Sequence, residues 1–129
     1  MEMIGASYSC TVTVDETNVA TRVGSGAVEV FATPMMVALM EAAAQGCLAA
    51  FLEEGQCSVG TSISVSHDAA TPIGMEVTAR AVITAAEGRR VDFLVEAFDA
   101  CGCIGKGTHS RFIVDQARFE SKANAKRQA

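Results

Sequence analysis

The chain has 129 residues, half of them apolar, with a formal net charge of −5 and no low-complexity run. That length suits one domain, read as spanning residues 1–129, which would bury roughly two thirds of its unfolded surface, and the composition excludes a disordered polymer. The acidic balance excludes a general nucleic-acid binder, so no nucleic-acid partner is expected.

The N-terminal "MEMIGASYSC" has no basic region followed by an apolar core, so no signal peptide is expected there. "SYSCTVTV" (8–15) alternates and reads as a strand, "DETNVATRVGSG" (15–26) as a polar loop, and "AVEVF" (27–31) as a short strand or strand-like lead-in. Thr33-Pro34 then opens the most apolar segment, with Thr as a good N-cap and Pro suited to the first helical position. Its Ala, Leu and Met content predicts a helix from about 34 to 53, stopped near Gly55. The helix is apolar nearly all round, which predicts burial on most sides. Ala38, Ala42, Gly46 and Ala50 form a row of small side chains that would admit a close neighbour. Glu41, Gln45, Gly46 and the alanines make the segment a poor membrane span, and no membrane partner is expected.

The remainder predicts antiparallel β structure. "CSVGTSISVSH" (57–67) places Val59, Ile63, Val65 and His67 on one face by alternation. "MEVTARAVITAA" (75–86), "VDFLVEAFD" (91–99) and "CIGKGTHSRFIVD" (103–115) follow, joined by short turns, and "ARFESKANAKRQA" ends the chain with a short helix. The fold class is therefore α+β: a curved antiparallel sheet wrapped around one long central helix. Such a sheet keeps an open side and open edges, which predicts a homodimer, with a tetramer as the larger alternative.

Five cysteines, an odd number without a Cys-x-x-Cys pair, suggest neither a disulfide framework nor a zinc site and fit a cytoplasmic setting. No metal and no separate cofactor are expected. Residues 116–129 carry four cations and one carboxylate, a local +3 that leaves −8 for the rest; this tail either meets phosphates or is solvated. Gly105 and Gly107 in "IGKG" lack the following Lys-Ser/Thr and helix of a phosphate loop and read as aids to strand curvature or close packing.

Glu41 is the anomaly, a carboxylate in the middle of the greasiest stretch, where it either sits on a wet stripe beside Gln45 or is held in a pocket for chemistry. His67 shares its strand face with apolar neighbours and would approach Glu41 if that face meets the helix; a merely structural histidine is the other reading. Thr33 lies eight residues before Glu41, about 12 Å along the axis, so the two cannot pair on one helix. Across a two-fold axis, Thr33 of one copy could reach Glu41 of the other. His109 shares a strand face with Arg111 and reads as structural.

"VFATPMMVALMEAAA", "SVGTSISVSHDAATPIGMEVTARAVI", "EGRRVDFLVEA" and "IGKGTHSRF", in that order, resemble the hotdog-fold thioesterases of the fluoroacetyl-CoA thioesterase type over about residues 27–123. The resemblance implies a hotdog fold and hydrolysis of a small acyl-CoA to free acid and CoA, with the CoA moiety part of the substrate. By matching motifs it implies a catalytic set of Thr33, Glu41 and His67 at a dimer interface, with Gly60 and Arg111 near the acyl group. Glu41 would activate water or attack directly, and His67 would assist proton transfer. One segment departs from the pattern. The fluoroacetyl enzyme carries a longer, phenylalanine-bearing lid where this chain has "TNVATRVGSGAVE", without an aromatic before Phe31, which implies a broader or different acyl preference. Three alternatives stand beside the hydrolase: an acyl-thioester-binding protein that does not cleave, a hydratase or dehydratase on the same scaffold, and an interaction module without a small ligand.

Overall fold

A computed structural model describes residues 2–128. Strand β1 (Ser7–Thr13) leads through a four-residue helix, α1 (Ala20–Val23), to the long helix α2 (Thr33–Ala49). Strands β2 (Gln56–His67), β3 (Glu76–Glu87), β4 (Arg90–Asp99) and β5 (Gly102–Asp115) follow, then helix α3 (Gln116–Asn124) and a final 3-10 turn over Ala125–Gln128. The strands form one antiparallel sheet in the order β1-β3-β4-β5-β2, so β2 is an edge strand.

The core lies between α2 and the concave side of that sheet. Met36, Met40, Ala43, Ala44, Cys47 and Leu48 of α2 are buried. They face Val77, Ala79, Ala81 and Ile83 of β3 and Val91, Phe93, Val95 and Ala97 of β4, every second residue of each strand. The alanines on β3 bring the helix close to the sheet. The full burial of Leu48 alone is worth about 2–3 kcal/mol.

Five expectations change. The helix expected to reach 53 ends at Ala49, where Phe51 and Leu52 turn back on tight bonds to the carbonyls of Leu48 (2.9 Å) and Ala49 (3.4 Å) and pack half-buried against the core. Gly55, with φ +84°, closes the turn that follows instead of the helix. Thr33 is not the N-cap: Ala32 holds that position without a side-chain cap bond, and the Thr33 hydroxyl is engaged elsewhere. Residues 27–31 make only isolated bridges, Val30 to Pro72 and Phe31 to Val19. Burial of α2 is one-sided, since Pro34, Ala38, Ala42 and Gln45 remain exposed in the single chain.

The last correction bears on the site. The register of β2 against β5 shifts between Gly60 and Ser62. This bulge at Thr61 reverses the alternation, so Val59 does not share a face with Ile63, Val65 and His67. Ser58 and Gly60 turn toward α2 in its place.

Candidate active site

The bulge and the helix together build one polar cluster in the core. Glu41 projects from α2 toward Gly60, where an added Cβ would lie 2.6 Å from Glu41 Oε2. Only a glycine lets the carboxylate come this close to the strand. Arg111, opposite Gly60 on β5, is 5% exposed and carries its Nη1 to 3.6 Å from Glu41 Oε2, an ion pair across the helix–sheet gap. The Glu41 side chain itself is 41% exposed. The pair is thus fixed on the arginine side and open on the carboxylate side. Gln45, one turn on, is exposed, and the carboxylate is turned to Arg111.

Arg111 is held from three directions. Its Nε donates to Ser58 Oγ (2.8 Å), Nη2 donates to the Ser58 carbonyl (2.9 Å), and Nη1 meets His109 Nε2 at 3.2 Å. His109 is 2% exposed, stacks against Phe93 with ring centroids 6.0 Å apart, and brings Nδ1 to 2.8 Å from the Ser62 carbonyl. A carbonyl only accepts, so Nδ1 carries the proton, which leaves Nε2 to accept from a guanidinium that can only donate. Burial pushes the His109 pKa down; the adjacent guanidinium adds to this, while the Ser62 bond and Glu41 oppose it. Burial also lowers the Arg111 pKa, against Glu41 and Cys57, yet a guanidinium stays charged from so high a starting value. The cluster is therefore a buried cation with a neutral imidazole behind it and one carboxylate before it. His109 keeps the structural part expected of it, as a brace for Arg111. Ser58 was not anticipated; the glycine inside a strand at position 60 was the available signal for a bulge, and a bulge is what turns Ser58 inward.

Thr33 and His67 form a second, separate cluster. Thr33 Oγ1 lies 2.7 Å from His67 Nδ1, while His67 Nε2 is buried without a hydrogen-bond partner. Gly105, opposite His67 on β5, is forced by crowding: a Cβ there would meet the Ser66 carbonyl and lie 2.8 Å from Met36 Sδ. Thr33 and His67 line a pocket of about 290 Å³, walled by Ala20, Gly26, Val28, Phe31 and Ala70. Within one chain the two clusters do not meet. Thr33 and Glu41 are two helical turns apart, about 12 Å, and Gly60 and His67 stand at opposite ends of a strand segment of roughly 20 Å. His67 thus contacts Thr33, and Arg111 is the partner of Glu41.

Known proteins share this architecture. A Thermus thermophilus protein described as a thioesterase superfamily member matches with a TM-score of 0.89 and 30% identity, covering 97% of this chain and 93% of that one. A structure of the fluoroacetyl-CoA thioesterase FlK matches with a TM-score of 0.92 and 36% identity, covering 98% of each chain. FlK variants have been solved with fluoroacetate and CoA and with acetyl-CoA. The chain is a hotdog-fold thioesterase, an α+β protein with a five-stranded antiparallel sheet and a long central helix. The family of fluoroacetyl-CoA-specific thioesterases, FlK, matches residues 14–117. The fluoroacetyl-CoA thioesterase of Streptantibioticus cattleyicolor is 46% identical over 98 residues, 76% of this chain and 70% of its own. The chain belongs to that family, and is a thioester hydrolase. Among the described residues no helix is long and apolar enough to cross a membrane.

Proposed function

We propose that the protein, acting as one hotdog domain per chain and as a homodimer, hydrolyses small acyl-CoA thioesters, with Glu41 of one copy and Thr33 and His67 of the other around one thioester. The observation that carries this reading is the brace on Glu41: a half-open carboxylate held over Gly60 by a cation that is itself fixed by Ser58 and His109. Such preorganisation aims a base or nucleophile at a fixed point without further reorganisation. Five free cysteines fit a reducing, cytoplasmic setting.

Two spacings support the dimer. Residue 37 is midway between Thr33 and Glu41 on α2, and the middle of the segment between Gly60 and His67 on the β2 edge falls beside Ser64. One two-fold axis passing near both would lay β2 antiparallel to its copy, satisfy the open edge, and bring Thr33 and His67 of one protomer to Glu41 and Gly60 of its partner. Ala38 and Ala42, exposed in the single chain, would lie at that contact.

In the composite site Glu41 removes a proton from the attacking water, or attacks the acyl carbon itself to give an anhydride that water opens. Backbone N–H groups beside the Gly60 bulge receive the developing oxyanion. His67, oriented by Thr33, offers its unpartnered Nε2 for proton transfer to the leaving thiolate. The products are the free acid and CoA. The segment before Phe31 contributes Ser25, Gly26, Val28 and Val30 to the pocket beside Thr33 and no aromatic ring, which supports a preference other than fluoroacetyl.

Thiol release from a panel of acetyl-, propionyl-, branched and aromatic acyl-CoAs tests the reading, with turnover expected on the small members and a fall of about a thousandfold or more in Glu41→Ala. Tight binding without turnover would instead indicate a binder. Mixing two inactive proteins, Glu41→Ala and His67→Ala, tests the shared site: refolded together, they should regain about a quarter of wild-type activity, because half the dimers are mixed and each mixed dimer holds one intact site. A heavy oxygen isotope from labelled water appearing in the Glu41 carboxylate under single turnover would select direct attack.

A further inference from the structure

Outside the proposed site, one groove gathers chemistry that hydrolysis leaves unused. It measures about 310 Å³ and runs between β5 and α3, lined by Arg89, Phe112, Arg118, Phe119 and Lys122 together with residues 113–115. Among the described residues Phe112 and Phe119, 41% and 44% exposed, are the only exposed phenylalanines, and both stand here. None of the three cations is in an ion pair, since the ion pairs among the described residues are Arg90–Asp92 and Arg111–Glu41, and Arg89 makes only a long bond to the Ile113 carbonyl at 3.4 Å. Asp115 also lines the groove, but its carboxylate is turned to cap α3, accepting from the Arg118 N–H at 2.9 Å. Arg118 and Lys122 are one helical turn apart, so they point the same way.

We propose that this groove binds the 3′-phosphorylated adenosine diphosphate end of the CoA thioester. The inference rests on the acyl-CoA reading above. Two aromatic faces beside three cations without carboxylate partners are the chemistry of a phosphorylated purine, with the base stacking on a ring and the phosphates taking the charges. The rest of the chain is acidic, so a polyanionic substrate is repelled almost everywhere except along this basic stretch. The position fits as well. Phe112 follows Arg111 on β5 and points to the opposite face of the sheet, opposite Val59. In the proposed dimer, the pairing that sets Gly60 against His67 of the partner subunit runs out beyond Gly60. Residues 56–59 of the edge strand are then left unpaired, and the pantetheine arm can pass over that free edge from Glu41 to the groove. An acidic carrier protein is the other anionic partner, but a concave groove with two rings suits a flat base better than a protein surface.

The test compares acetyl-CoA with acetyl-N-acetylcysteamine, which lacks the nucleotide, and adds calorimetric binding of adenosine 3′,5′-bisphosphate. In the Arg118→Gln/Lys122→Gln variant the preference for the CoA ester should fall about tenfold through KM, and bisphosphate affinity should fall by a similar factor. Phe119→Ala should weaken bisphosphate binding in the same direction, and added salt should erode the wild-type preference. An unchanged preference together with unchanged bisphosphate affinity would overturn the groove while leaving the hydrolase intact. A variant impaired only toward an acyl carrier protein would overturn it in favour of a protein-docking surface. If the wild type released thiol from no ester, the hydrolase reading would fail, and the bisphosphate titration would still decide the groove.

Discussion

The two polar clusters are built on opposite plans. Around Glu41, Arg111 is buried, donates to two atoms of Ser58, and leans on a histidine whose own proton is committed to the backbone. Around His67 there is a single bond to an exposed threonine and one ring nitrogen with nothing to bond. The first cluster is complete within a chain, apart from the open side of its carboxylate. The second is a fragment. A buried polar group tolerates no partial satisfaction without cost, so the fragment is what a second copy or a substrate would be expected to finish.

Breaking the complete cluster should therefore cost both fold and chemistry, and breaking the fragment chemistry alone. Arg111→Met is expected to have the largest effect. It strands His109 Nε2 and Ser58 in the core, a loss of about 2–3 kcal/mol in urea unfolding, and it releases Glu41, with a fall of about a hundredfold or more in kcat. The two glycines divide in the reverse sense. At Gly105 an added Cβ meets backbone as well as Met36, so Gly105→Ala should lower the melting temperature by several degrees, about 1–3 kcal/mol. At Gly60 it meets chiefly the end of the Glu41 side chain, which can swing away, and touches the His109 ring only at 3.2 Å, so Gly60→Ala should reduce kcat about tenfold or more with a smaller change in stability than Gly105→Ala. Thr33→Val removes one exposed hydrogen bond and should cost about tenfold in kcat with little stability change, and Thr33→Ser should restore most of the activity. Equal stability losses for Arg111→Met and Thr33→Val would abolish the distinction between the clusters.

The same contrast explains what could be read from sequence. Strand and helix periodicities gave β1 to β5 and α2 within a few residues, because burial of one face fixes them. The helix end failed at Phe51 and Leu52, since two apolar residues read as more helix when they are in fact a turn folded onto the core. Thr33 read as a cap from its place before Pro34, but its hydroxyl is taken by a residue 34 positions away, and local patterns carry no such contact. Glu41 stood out as a charge in apolar company, Arg111 came only with the family resemblance, and their pairing was hidden by the bulge at Thr61. Strict alternation from His67 back along β2 put Val59 on the inner face and left Ser58 and Gly60 outside, so the residues that complete the brace were on the wrong side.

The smallest effect probes the brace without touching Glu41. His109 is held neutral in the fold, its pKa pushed below the usual 6.5 chiefly by burial. Below pH 6.5 the unfolded chain binds a proton at this ring that the native state refuses, so the contribution of His109 to stability is full above that pH and declines as pH falls toward the native value. Asp15, Asp92 and Asp99 also titrate low in the fold, with hydrogen bonds from Thr17, Ser110 and Thr71 as the leading causes, but their contributions are lost only below about pH 3.8. The window between pH 6.5 and 5 therefore isolates the histidine from these carboxylates. Urea midpoints measured across it should fall for the wild type and fall less steeply for His109→Gln, whose amide can occupy the same position without titrating. Identical slopes in the two proteins would mean that His109 takes up its proton in the fold as readily as out of it, and that Arg111 is braced by Ser58 alone.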